Sequence, residues 1–137
     1  MKKAAFMVII LLFCLSVFGC AGLREMCAGF KGVSIKALEE ARKDAIARHF
    51  NYDYFTAYSK SLDALKQMQA YVYKQDIKQH IIAIYVSQTD TTPVGIFFQE
   101  VNKDTTKIEV SSLSSYAKDL IAKGLFNLLE AKLPPVK

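Results

Sequence analysis

The chain has no tryptophan and only three cysteines, three prolines and six glycines in 137 residues. Three cysteines cannot close into pairs, and Cys14, Cys20 and Cys27 have no metal-site spacing, so a disulfide scaffold is excluded. There is no glycine period and no low-complexity segment, and 52% of the residues are hydrophobic, which excludes collagen-like and disordered chains. The two histidines, His49 and His80, stand far apart with neither HxxxH nor HExxH spacing, so no metal site is expected. GxSxG, GxxxxGK and GxGxxG are all missing, and no catalytic residue and no cofactor is expected. The length fits one domain.

What is present begins with Lys2-Lys3 and an apolar run of 15 residues, Ala4–Phe18, broken only by Ser16. A membrane-spanning helix needs roughly 20 apolar residues. The shorter run suits the h-region of a secretory signal peptide, with the lysines held on the cytoplasmic side. Val17-Phe18-Gly19-Cys20 follows: an aliphatic residue, a variable one, a small one, then cysteine. This stretch resembles the lipobox of bacterial lipoproteins. The resemblance implies cleavage between Gly19 and Cys20, acylation of Cys20 including an amide-linked palmitate-type chain, and anchoring by more than one chain, as stable membrane attachment requires. Ala21 stands where aspartate marks inner-membrane retention, so the implied address in a Gram-negative cell is the periplasmic face of the outer membrane. Cys27 is read as an unpaired thiol in the tether, with pairing between two chains as the alternative.

Removing Lys2 and Lys3 leaves 16 basic and 13 acidic residues, a net charge of +3. The lysines are interleaved with acids rather than clustered, so no nucleic-acid partner is expected. The expected divisions are residues 1–19 as signal peptide, 20–33 as a glycine-containing tether, 34–133 as a single domain and 134–137 as a tail.

Within the domain, Ser34 is a plausible N-cap for a helix to about Arg48, with a thin apolar stripe suited to loose docking. Phe50–Asp53 reads as an aromatic break or a short strand. Asp53 caps a second helix to about Gln69, whose core contacts are Tyr58, Leu62 and Leu65. The period then changes to two. Tyr71–Gln75, His80–Ser87, Val94–Val101 and Lys107–Ser112 read as strands joined by short turns, with Pro93 at a strand start. Tyr116 to about Lys132 is the cleanest amphipathic helix, stopped by Pro134-Pro135. The expected fold is α+β: a four-stranded antiparallel meander packed by two helices, with an extra N-terminal helix. One of Gly95 and Gly124 is expected against a neighbouring helix, the other at a close helix–sheet approach.

This order, with Ala64-Leu65 in the second helix, is similar to the helix-grip-like domains of envelope lipoproteins such as BamC (NlpB). Thr92-Pro93-Val94-Gly95 and Ser115-Tyr116-Ala117-Lys118 also look like small bacterial envelope lipoproteins. The resemblance covers about residues 50–133 and implies fold and compartment rather than chemistry.

Glu100 and Glu109 on adjacent strands are candidate cross-strand neighbours, read as a solvated face. Candidate binding residues are Tyr52, Tyr54, Tyr71 and Tyr73, whose rigid bodies and polar tips suit interfaces, and Asp90 in the Ser87–Thr92 loop. The aromatic cluster reads first as core around the second helix, with binding as the alternative. Tyr71–Gln75 or Lys107–Ser112 is expected at a sheet edge open to an extended peptide. The expected function is a non-catalytic, membrane-anchored lipoprotein that binds another envelope protein or supports an assembly. The alternative is a lipid-, lipopolysaccharide- or glycan-binding module with a pocket between sheet and helices.

Overall fold

A computed structural model describes residues 35–131. The signal peptide, the tether, Gly19, Cys20, Cys27, the Ser34 N-cap, the Pro134-Pro135 stop and the 134–137 tail lie outside the described residues. Residues 35–40 are helical and pass directly into a 3-10 turn, Ala41–Asp44. There follow β1 (Ile46–Phe50), α1 (Tyr54–Gln67), β2 (Tyr71–Asp76), β3 (Ile81–Tyr85), β4 (Pro93–Asn102), β5 (Thr105–Ser111) and α2 (Ser115–Ala131). The architecture is α+β, with one five-stranded antiparallel sheet in the order β1-β5-β4-β3-β2.

Among the described residues the sheet has five strands rather than the expected four. The expected helix to Arg48 stops at Asp44, and Ala45 turns extended (φ −67°, ψ 148°). Ile46–Phe50 then pairs with β5, from Ile46 opposite Val110 to Phe50 opposite Thr106. The alanines at 41, 45 and 47 favour helix locally, but a helix here would leave the outer side of β5 without backbone partners, and the tertiary pairing prevails. Lys107–Ser112 is therefore interior to the sheet and not an edge. β2 and β1 are the two edges.

Both helices pack on one face, as the sequence suggests. Leu65 of α1 and Leu125 of α2 close over Ile82, Ile84, Ile96, Ile108 and Val110, all fully buried. Each such side chain contributes about 1.5–3 kcal/mol on burial. Asp53 caps α1 by accepting the Thr56 N–H at 3.1 Å. The Thr56 hydroxyl donates to the same carboxylate, and these hydrogen bonds hold its pKa below the usual carboxylate value. Ser114 accepts the Ala117 N–H at the start of α2.

The leading helical segment docks on the opposite face, and not loosely. Leu38 is buried against Ile81, Ala83 and Phe97. Its carbonyl accepts the Ser111 hydroxyl at 2.8 Å. Gly95 makes this approach possible: a Cβ there would stand 2.7 Å from the Phe97 ring and 3.2 Å from Leu38 Cβ. At Gly124 on α2 a Cβ would stand 2.5 Å from the terminal methyl of Met68, a flexible side chain that would have to swing aside. Arg42 completes the clamp. Its guanidinium lies 4.5 Å from the Phe97 ring centre and donates twice to Glu109 Oε2, at 2.8 and 2.6 Å. Lys107 Nζ reaches Glu109 Oε1 at 2.7 Å.

Burial acts to raise the Glu109 pKa, but Lys107 and Arg42 outweigh it and the net shift is downward. A folded pKa below the unfolded value means that the stabilisation is present at neutral pH and is lost as pH falls through the folded value. Glu109→Gln is expected to lower stability at pH 7 and to flatten the acid side of the stability–pH curve below about pH 4.5, measured by urea unfolding across pH. Gly95→Ala is expected to cost about 1–3 kcal/mol in the same assay, because Phe97 and Leu38 must both yield.

Candidate binding edge

The five residues singled out from sequence do not form one site. Tyr54 is 5% exposed and belongs to the core. Its ring stacks on His80 at 4.4 Å and meets Phe98 edge-on at 6.2 Å. The Tyr54 hydroxyl donates to the Ile77 carbonyl, and the Tyr58 hydroxyl to the Ile81 carbonyl at 3.3 Å. Burial pushes both phenol pKa values up, so both hydroxyls remain donors. His80, at φ 58°, closes the β2–β3 turn, which Asp76 caps by accepting the Lys78 and Gln79 N–H groups. Tyr52 is a strut. Its hydroxyl donates to the Leu129 carbonyl at 3.1 Å and its own carbonyl accepts from Thr106 at 3.0 Å.

Asp90 is committed to its own loop. Its Oδ1 accepts the Thr92 hydroxyl at 2.6 Å and the Thr92 N–H at 3.0 Å, and these bonds, the hydroxyl's first, lower its pKa. Ser87 Oγ accepts the N–H groups of Thr89 and Asp90. The loop therefore satisfies its own polar groups. Glu100 and Glu109 are not neighbours: Glu100 stands opposite Thr106 and Glu109 opposite Phe97, on opposite faces. A Ser-x-x-Lys spacing at Ser115–Lys118 is also present, but the Lys118 ammonium donates to the Asp44 carbonyl at 2.7 Å. Among the described residues no group of three or more His, Cys, Asp or Glu stands close enough to hold a metal ion.

Tyr71 and Tyr73 are different. The register of β2 against β3 runs from Asp76–Ile81 through Lys74–Ala83, then slips by one residue, so that Val72 faces Ile84 and Tyr71 faces Tyr85. Continued unbroken, the Lys74–Ala83 register would set Tyr73 opposite Ile84 and Tyr71 opposite Val86, with both tyrosines on the helix-covered face. The bulge reverses this and puts Val72 there instead. Tyr73 then packs toward Leu38 on the other face and stacks on Tyr85 at 4.4 Å, while Tyr71 stacks on Tyr85 at 6.1 Å. Tyr71 remains 49% exposed. Tyr85 completes the ladder and was not singled out from sequence; only the slipped register reveals it.

On the helix side of the same strand lies a shallow hollow of about 290 Å³, lined by Leu62, Lys66, Val72, Tyr73, Lys74 and Gln75. It has room for a side chain or two. The space between sheet and helices, where a lipid would be enclosed, is instead filled by the buried isoleucines and leucines. β2 thus combines an edge position in the sheet, a rigid aromatic ladder and a side-chain hollow. β1, the other edge, carries Arg48 bonded to Glu130 at 2.6 Å, and its one aromatic residue, Phe50, is buried against Phe126.

No protein-family model matches the chain, and no curated protein matches it.

Tyr54→Phe removes a buried donor and leaves the Ile77 carbonyl unpaired. It is expected to lower unfolding free energy by about 1 kcal/mol while leaving the β2 edge intact, checked by urea titration and by the Tyr71–Tyr85 ring contact in NMR spectra.

Proposed function

We propose that the chain is an acyl-anchored envelope lipoprotein whose α+β body binds another envelope protein and performs no catalysis. The lipobox-like Val17–Cys20 supports the anchor, with Cys20 as the acylated residue and the periplasmic face of the outer membrane as the address in a Gram-negative cell. The likeness of residues 50–133 to helix-grip-like domains belongs to the same reading. The observation that carries the binding function is the exposed β2 edge with its Tyr71–Tyr85–Tyr73 ladder.

An extended segment of the partner adds to β2 through main-chain hydrogen bonds and seats a side chain in the neighbouring hollow. The bulge and Lys74 keep the edge from unrestricted strand addition, so side chains select the partner. Tyrosine at such an edge presents large contact area at small entropic cost.

The test is a photo-crosslinking residue in place of Gln75, used in intact cells. A discrete adduct is expected, and Tyr71→Ala is expected to weaken binding by about 2 kcal/mol, roughly thirtyfold. An adduct indifferent to Tyr71→Ala contradicts the assignment of the edge. Cys20→Ser is expected to abolish palmitate labelling; undiminished labelling contradicts the anchor.

A further inference from the structure

The outer face of α2 carries apolar side chains that the core does not use. Leu113, in the turn before the helix, is 74% exposed, Tyr116 is 69% exposed and Leu120 is 43% exposed. Tyr116 and Leu120 are one helical turn apart and lie on one side of α2. Leu120 borders a mostly apolar hollow of about 530 Å³ that also takes in Met68, Val86 and Ile121. Leu113 borders a second, mixed hollow, where Ala37 and Ala41 of the leading helical segment stand beside Glu40, Lys43, Asp44 and Lys118. The same stretch of α2 exposes Asp119 and Lys123, one charge of each sign, so the face attracts neither acidic nor basic partners.

A face of three side chains is far smaller than the roughly 800 Å² per partner that a stable protein interface needs. It is sufficient where the partner is already held close. Cys20 precedes Ile35 by 15 residues, which span at most about 50 Å when fully extended. A bilayer carrying the acyl chains is therefore always within reach, and tethering turns a weak contact into an intramolecular one. Leucine and tyrosine are also the residue types that settle at the headgroup boundary, the leucine apolar throughout and the tyrosine with one wet end.

We infer that the Leu113–Tyr116–Leu120 face of α2 lies against the lipid surface in which the acyl chains are embedded. This rests on the proposed acylation of Cys20. Docking acts by insertion of apolar tips, so it requires no anionic lipid. It also fixes the orientation of the body relative to the lipid.

The chain has no tryptophan, so Tyr116→Trp introduces a single indole on the face, and Phe55→Trp introduces one beside the β2–β3 turn at the other end of the sheet. Each variant is purified with its acyl chains and reconstituted in phosphatidylcholine vesicles containing brominated lipid. The indole at position 116 is expected to emit at shorter wavelength and to be quenched several-fold more than that at position 55, with no dependence on salt. Adding Leu113→Glu and Leu120→Glu to the Tyr116→Trp chain is expected to abolish that difference. Protein that floats with the vesicles while position 116 is quenched no more than position 55 overturns the docking and leaves the anchor standing. Protein that does not float overturns both.

Discussion

One extra residue in β2 decides which way the candidate recognition surface points. Side chains alternate strictly along a strand, so a one-residue slip exchanges the two faces. Above the slip, Lys74 faces Ala83; below it, Val72 faces Ile84 and Tyr71 faces Tyr85. Val72 is thereby delivered to the helix-covered face, and the tyrosines are delivered to the other. On the helix-covered face Val72 meets Ile84, which is fully buried with Ile82 and Leu65.

The second face of the sheet is not left bare, and this shapes the rest of the body. The leading helical segment crosses it with Leu38 as the apolar contact and Arg42 as the charged one. Glu109 is the hub, since it receives both Arg42 and Lys107. The chain reaches the body through this segment, so whatever force the N-terminal side transmits arrives at a clamp made of one buried leucine, one hydroxyl–carbonyl bond and one ion-pair cluster. Gly95 sets the closeness of that clamp.

Much of the architecture was legible in the sequence because local signals and tertiary demands agree there. Asp53 capping α1, Pro93 opening β4, the Asp76–Gln79 turn and the stripe of α2 each follow from nearby residues. β1 was not legible. Ala41, Ala45, Ile46 and His49 satisfy helical spacing, and only the unpaired side of β5, sixty residues downstream, makes Ile46–Phe50 extended. The bulge was not legible either, because Tyr71–Gln75 alternates acceptably in both registers. Of the candidate binding residues, Tyr52, Tyr54 and Asp90 have their hydroxyls or carboxylate engaged within the body, whereas Tyr71 keeps an exposed ring. The difference between a core tyrosine and a surface one lies in partners such as the Ile77 and Leu129 carbonyls, which no spacing announces.

The proposed division of labour, with α2 toward the lipid and β2 toward a protein, requires that the tyrosines stand on the outer face. Paired cysteines test this directly in a chain whose Cys14, Cys20 and Cys27 are replaced by serine. Directly opposed residues of an antiparallel pair lie within disulfide reach. Tyr71→Cys with Tyr85→Cys is predicted to form a disulfide under mild oxidation, and Tyr71→Cys with Val86→Cys is not. Efficient bridging of the second pair in place of the first would contradict the register and the recognition surface built on it.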